Sequence, residues 1–329
     1  MDRNHTSRNT AELYEAVAEK YGLGRAGHLT RLTGGEKNLV YKIGGQNLVV
    51  RVYQPSAPRD GIEFEHRLMA LLSENMGCVA WPLPDKAGAT YFIWDGRPVA
   101  VMPYMPGRTP AGKDRESLAF CRESGNILGQ MHEIARERAD ELPELSSRLP
   151  LIEMDAFSNH LYDWEKSRKW LSTTKFAPEI PYLREQLEQV WRFISGLKAG
   201  GMPLIPIHGD YYRGNLLWDG ARITGVIDFD DSRMEWAEFE IARAMWEFAR
   251  DDDRLVIDEA RREAFLGGYT EARPAAVHDL PLYTQIIKAV RLFEILATAA
   301  SMINGDLLGG WGAEDVEYHW KNLLWCKKL

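Results

Sequence analysis

The hydrophobic pattern changes character about a third of the way along the chain. Leu13, Val17 and Ala18 recur at helical spacing within 10–21, and Gly22 and Gly24 end that run, which predicts a helix. Asn38 to Ile43 and Asn47 to Tyr53 flank Gly44-Gly45, the spacing of a β-hairpin. Helical period returns over Glu63 to Glu74 with Phe64, Leu68 and Leu71. Tyr91 to Trp94 and Pro98 to Tyr104 then form a second strand pair around Asp95-Gly96. From Asp114 onward amphipathic helices take over: Leu118 through Met131, Leu183 to Leu197, Ile241 to Phe248 and Ile286 to Ser301. Only Pro206 to Phe229 interrupts them, with short apolar strands around a polar turn. The expectation is an α+β chain with a strand-rich N-lobe over 1–103, carrying one bracing helix, and a mainly helical C-lobe over 104–329. Met102 to Gly107 forms the joint.

Composition narrows the function classes. A length of 329 residues supports two such parts, and 45% apolar with 27% charged residues marks a folded chain rather than a disordered one. The formal charge of -8, with no Lys/Arg block, argues against a nucleic-acid partner and suits a cationic or neutral one. Cys78, Cys121 and Cys326 form no C-x-x-C pair, so a reducing compartment without a thiolate metal site is expected. The polar first ten residues lack an apolar h-region, and no apolar run reaches the roughly 18 residues that span a bilayer. The expected location is the cytoplasm, without a membrane.

The polar turn carries the chemistry. It reads His208-Gly209-Asp210-Tyr211-Tyr212-Arg213-Gly214-Asn215-Leu216-Leu217, followed by Gly225-Val226-Ile227-Asp228-Phe229-Asp230-Asp231. Phosphoryl transfer from ATP needs a carboxylate to orient an acceptor hydroxyl and oxygen ligands for Mg²⁺ on the phosphates. Asp210 and Asn215 stand five positions apart on one loop, so one can face the acceptor while the other reaches metal. Asp228 ends the apolar strand Ile223 to Ile227, and Asp230 faces the same side if the chain stays extended. Taken singly, Asp210 also suits a helix N-cap and Asn215 a turn.

These two segments resemble the aminoglycoside phosphotransferase and choline kinase-like superfamily, whose loop reads H-G-D-x-x-x-x-N and whose metal strand reads I-D-F-D-D. A chance match to the four specified loop residues is on the order of one in 500 for this length. The resemblance implies a bilobal, protein-kinase-like fold and transfer of the γ-phosphate of ATP with Mg²⁺. It makes Asp210 the catalytic base and Asn215 and Asp228 metal ligands, with Asp230 a further metal or water ligand. His208 braces the loop. An Asp normally precedes the family's Leu-Ala pair after the metal strand; Glu240-Ile241-Ala242 stands here, so a bracing role must accommodate a longer side chain. His132 matches another family position and reads as a packing or capping residue.

Within the first third, Gly34 and Gly35 offer backbone that can approach phosphate, and the following Asn38-Leu39-Val40-Tyr41 is like the family's nucleotide loop. Alternation in Leu48-Val49-Val50-Arg51-Val52-Tyr53 turns Arg51 away from Val50 and Val52, where the family places its phosphate-binding cation. An exposed strand cation is the other use of such a residue. Glu65 matches the acidic partner of that cation, with Glu63 the alternative. Pro98 to Gly107 resembles the strand and hinge joining the lobes, which implies that backbone near Met102 and Tyr104 meets adenine.

The acceptor is written less sharply. Asp231, Glu235, Glu238 and Asp251-Asp252-Asp253 are acidic candidates for a cationic acceptor, though a triple-Asp run equally suits a solvated loop. His160, Tyr162, Asp163, Trp164, Trp170 and Phe176 either face an amine or form the core of paired helices. An amine-bearing small molecule is the leading expectation, whether a cationic antibiotic (aminoglycoside or cyclic peptide), a choline-like metabolite or homoserine, as for homoserine kinase type II. The chain is also similar to the bacterial stress-response Ser/Thr protein kinase of this superfamily in Val49 to Pro55, Glu65-His66 and Gly214 to Trp218, which keeps a protein acceptor as the alternative.

Overall fold

In chain order the elements begin with helix α1 (Arg3–Tyr21), strands β1 (Leu29–Arg31), β2 (Leu39–Ile43) and β3 (Leu48–Val52), and helix α2 (Arg59–Ser73). Strands β4 (Phe92–Trp94) and β5 (Arg97–Pro103) follow, then helices α3 (Leu118–Glu137), α4 (Trp164–Leu171) and α5 (Ile180–Ala199). Strands β6 (Leu204–Ile207), β7 (Leu216–Trp218), β8 (Ile223–Val226) and β9 (Arg233–Trp236) precede helices α6 (Ala237–Ala249), α7 (Glu259–Ala272), α8 (Leu280–Asn304) and α9 (Ala313–Trp325). This computed structural model describes residues 3–24, 27–32, 38–147, 164–199, 201–251, 256–276, 278–304 and 313–325. They divide into two compact units. The first holds Met1–Thr109, Asp140–Ser147 and Asn215–Asp230, and the second Pro110–Ala139, Arg148–Gly214 and Asp231–Leu329.

In the first unit, β1 to β5 form an antiparallel sheet of order β1-β2-β3-β5-β4. The expected Gly44-Gly45 and Asp95-Gly96 hairpins are its β2–β3 and β4–β5 connections. Period-two alternation gives it two unlike faces. Tyr41, Ile43, Val50, Val52, Val99 and Val101 share a buried cluster with Leu13, Tyr14, Val17 and Ala18 of α1. The other face carries Arg51, with Ala100 as its cross-strand neighbour, and meets α2 where Tyr53, Ala100 and Ile62 pack together. Burying an apolar side chain contributes about 1.5–3 kcal/mol, and both faces bury such side chains, the α2 face with Ile62, Phe64, Leu68 and Leu72 beside its charged groups. Residues 215–230 add the β7–β8 pair to this unit, with Leu216 opposite Val226.

The second unit is mainly helical. Ser117 caps α3 by accepting from the Phe120 amide. Helices α3 and α7 approach backbone to backbone. A Cβ on Gly125 would lie 1.9 Å from the Phe265 carbonyl oxygen, and one on Gly268 1.8 Å from that of Arg122, so larger residues are shut out. Strands β6 and β9 pair antiparallel, with Ile207 opposite Arg233, and this pair brings the 208–210 loop back to the start of α6. Among the described residues no helix is long and apolar enough to cross a membrane.

Candidate active site

Each unit gathers part of the expected site. In the first, Arg51 extends from β3 under α2 and is almost fully buried. Its Nη1 donates to Glu65 Oε1 at 3.1 Å, and its Nη2 to Asp228 Oδ1 at 2.7 Å, with Asp230 Oδ2 at 3.3 Å. Asn38 Nδ2 also donates to Asp230 Oδ2, at 2.8 Å. One planar fork thus ties the helix carboxylate to both carboxylates that follow β8. Burial pulls the Arg51 pKa down, but the negative groups around it, led by Glu65, together outweigh burial and hold it above its ordinary value.

The partner of Arg51 is Glu65, whereas Glu63 accepts from the Tyr91 hydroxyl at 3.4 Å. Asp228 departs from the extended chain expected after β8: its φ is +67°, a left-handed conformation that a non-glycine residue adopts at a cost. The turn still directs Asp228 and Asp230 to the same Arg51 nitrogen. Asn215 is buried at the end of a 3₁₀ turn (Arg213–Asn215), and its carbonyl accepts from the Ile227 amide at 3.0 Å. Among the described residues no three His, Cys, Asp or Glu side chains are arranged as a metal site. The fit to Mg²⁺ therefore rests on an all-oxygen set, two carboxylates and the Asn215 amide, which suits a hard cation.

Met102 lies on β5 beside the Tyr53–Ala100 cluster, and the Tyr104 amide donates to the Asn47 carbonyl at 2.9 Å. Lys42 Nζ stands 4.0 Å from the centre of the Tyr104 ring. Gly34 and Gly35 lie outside the described residues, as do His160, Tyr162, Asp163, Asp252 and Asp253.

The second unit holds Asp210, and here the departure from the family pattern is resolved. Glu240, fully buried on α6, accepts from the Gly209 amide at 2.6 Å through Oε1. Its Oε2 accepts from the His208 amide at 3.1 Å and from His132 Nε2 at 2.9 Å. Burial alone would raise the Glu240 pKa; the His132 hydrogen bond, with His208 and the Gly209 amide, brings it below the ordinary value. The longer side chain is thus accommodated by gripping two successive loop amides. His208 Nδ1 accepts from the Asp210 amide at 3.2 Å, and the Tyr211 hydroxyl donates to the Ser124 carbonyl at 2.8 Å. Gly209 has φ +87°, and a Cβ there would lie 2.0 Å from the Asp231 carbonyl oxygen.

Sequence reasoning missed Arg243, whose Nη1 donates to the Gly209 carbonyl at 2.7 Å while Nη2 stands 3.6 Å from Asp210 Oδ1. Its spacing of three from Glu240 puts both on one helix face, which is the signal that could have found it. Of the acidic candidates, Asp231 and Glu238 are partly exposed. Glu235 is fully buried, with Arg233 Nε at 3.5 Å and the Trp236 amide donating to it at 3.2 Å. Burial lowers the Arg233 pKa and Glu235 opposes that shift.

Comparison with known proteins gives a consistent picture. A family model described as the phosphotransferase enzyme family matches residues 28–275. A homoserine kinase of Pseudomonas aeruginosa is 26% identical over 267 residues, covering 79% of this chain and 77% of that protein. Among solved structures, the amicoumacin kinase hAmiN, in complex with AMP-PNP and Ca²⁺, superimposes with a TM-score of 0.67 at 14% identity, covering 100% of this chain and 96% of that one. A microcompartment-associated aminopropanol kinase gives 0.65 at 18% identity, covering 96% and 94%. The shared architecture is the protein-kinase-like α+β fold.

Proposed function

The chain belongs to the phosphotransferase enzyme family and is a small-molecule kinase of it; on that premise we propose that it moves the γ-phosphate of ATP, with Mg²⁺, to a hydroxyl of a small amine-bearing acceptor. The observation that carries the reading is the Arg51 fork, which joins buried Glu65 to the more exposed Asp228 and Asp230. A fixed guanidinium suits two phosphate oxygens, and a carboxylate behind it keeps the fork from turning. Asn38 and the Gly34-Gly35 segment are assigned to the nucleotide, and backbone near Met102 and Tyr104 to adenine, apart from the Tyr104 amide, which the Asn47 carbonyl holds. Asn215, Asp228 and Asp230 are the residues that would hold Mg²⁺, which when bound offsets charge on the phosphates.

Asp210 is assigned the acceptor hydroxyl: its carboxylate accepts the proton as the oxygen attacks phosphorus. Its loop is held from three sides, by Glu240 on the amides, by Arg243 on the Gly209 carbonyl and by Tyr211 on α3. Asp231 and Glu238 are the acidic groups assigned to the acceptor's amine, whereas Glu235 is buried against Arg233. Homoserine and aminopropanol, named for a relative and a neighbour, each carry an amine and a hydroxyl, which supports this acceptor class. An antibiotic acceptor is the narrower form, supported by the amicoumacin kinase likeness. With ATP as donor, the cytoplasm is the proposed location.

The test is transfer from Mg·ATP to a panel of homoserine, aminopropanol, choline, ethanolamine and an aminoglycoside, read by mass spectrometry of the product. Phosphorylation of one amine names the class. Transfer to a generic protein substrate alone would overturn it.

A further inference from the structure

Behind the Arg51–Glu65 pair lies a run of buried polar groups that the proposed reaction does not use. Tyr53, two residues beyond Arg51, and His66, next to Glu65 on α2, are both buried. Tyr53 Oη lies 2.9 Å from His66 Nε2 and 3.3 Å from Glu65 Oε1. His66 Nδ1 lies 2.8 Å from Thr90 Oγ1. The Tyr53 ring also faces the Arg51 guanidinium, with its centre 4.9 Å away. Tyr53 therefore touches both members of the pair.

Two proton arrangements fit these distances. If His66 carries its proton on Nδ1, it donates to Thr90 and accepts the Tyr53 proton at Nε2. The tyrosine oxygen then turns only lone pairs toward the Glu65 carboxylate. If the proton sits on Nε2, His66 donates to Tyr53, Tyr53 donates to Glu65, and the Thr90 hydroxyl donates to Nδ1. A buried carboxylate facing a donor is favoured over one facing a lone pair, so the second arrangement is selected. A doubly protonated ring is disfavoured as well: burial, and then the charge on Arg51, bring the His66 pKa down to about 3.

We propose that Tyr53 and His66 are positioning residues for the nucleotide-gripping cation, forming a one-way chain of donors from Thr90 through His66 and Tyr53 to Glu65. The chain fixes the carboxylate on which Arg51 Nη1 is anchored, and so the direction in which Nη2 points. This rests on the reading of Arg51 as the phosphate-binding group.

The first test needs no variant: the tautomer of His66 in the full chain, by long-range ¹H–¹⁵N correlation, with the signal assigned by its loss in His66→Gln. The Nε2–H form is expected, and an Nδ1–H form overturns the proposal. The second is Tyr53→Phe, which removes only the hydroxyl. It is expected to raise KM for Mg·ATP roughly three- to tenfold, with kcat within about twofold of wild type. A KM unchanged from wild type overturns the proposal. His66→Gln, whose side-chain amide can donate as Nε2–H does, is expected to keep KM within about twofold, while His66→Leu raises it as Tyr53→Phe does. Equal KM values for the two His66 variants would also overturn it. Failure of the wild-type chain to bind Mg·ATP would instead sink the phosphotransfer reading and leave the tautomer result standing.

Discussion

Replacing Glu240 by Gln keeps the shape of a fully buried side chain and removes only its charge and one acceptor. The carboxylate takes three donors: the Gly209 amide, the His208 amide and His132 Nε2. A glutamine has one acceptor oxygen. Placed at Oε2, it keeps His208 and His132 but turns its NH₂ onto the Gly209 amide. Placed at Oε1, it keeps Gly209, and His132 can change tautomer, but the His208 amide is stranded. Either way one buried amide loses its partner, at about 1–3 kcal/mol, and the remaining bonds lose their charge assistance. The expected loss of unfolding free energy is therefore about 2–4 kcal/mol, measured by urea denaturation with m unchanged. Since the stranded amide flanks Asp210, kcat should fall about 10- to 100-fold, equivalent to roughly 1.4–2.8 kcal/mol of barrier. KM for Mg·ATP should stay within about threefold, because the loop that Glu240 braces is assigned to the acceptor and the Arg51 network to the nucleotide. A variant within about 0.5 kcal/mol of wild type, with kcat unchanged, refutes the reasoning that Glu240 holds the loop.

The other predictions are shorter. Gly209→Ala should melt well below wild type or fail to fold, because its Cβ would sit 2.0 Å from the Asp231 carbonyl oxygen at φ +87°; a melting temperature within a few degrees of wild type counts against it. Arg243→Gln should lower kcat about tenfold and Arg243→Lys less, by freeing the Gly209 carbonyl and Asp210; equal kcat for wild type and Arg243→Gln removes Arg243 from the account. Glu294 has its carboxyl pKa held at about 2, burial opposing the shift while Arg291 and then His319 drive it. Its folded pKa is depressed, so its contribution, about 3 kcal/mol, is present above pH ~4.5 and lost as pH falls toward ~2. Glu294→Gln should flatten stability against pH in that window; unchanged acid sensitivity would falsify this.

How much was legible in the sequence depended on the range of the interaction. The two hairpins follow from local turn chemistry and alternation, and alternation alone put Arg51 on the face opposite Val50 and Val52. Choosing Glu65 over Glu63 required the rotation of α2 about its axis, which only packing against the sheet sets. Helix α1 begins at Arg3, seven residues before the start expected at Thr10, because a polar helical start leaves no hydrophobic trace. The left-handed Asp228 was invisible because no glycine marks it. That 215–230 joins the N-terminal strands in one unit is a long-range fact with no local signature. The catalytic-loop motif was plain, but its brace was not: Glu240 and Arg243 reach a loop some 30 positions earlier, a partnership that β6–β9 pairing creates.

The most direct test of the central claim is Asp210→Asn, compared with wild type in single-turnover transfer from labelled ATP and in equilibrium Mg·ATP binding. Asparagine cannot accept the acceptor's proton, so transfer should slow about 10²- to 10⁴-fold, while nucleotide affinity stays within about twofold. Transfer at the wild-type rate would contradict the assignment of Asp210 as the group that receives the hydroxyl proton.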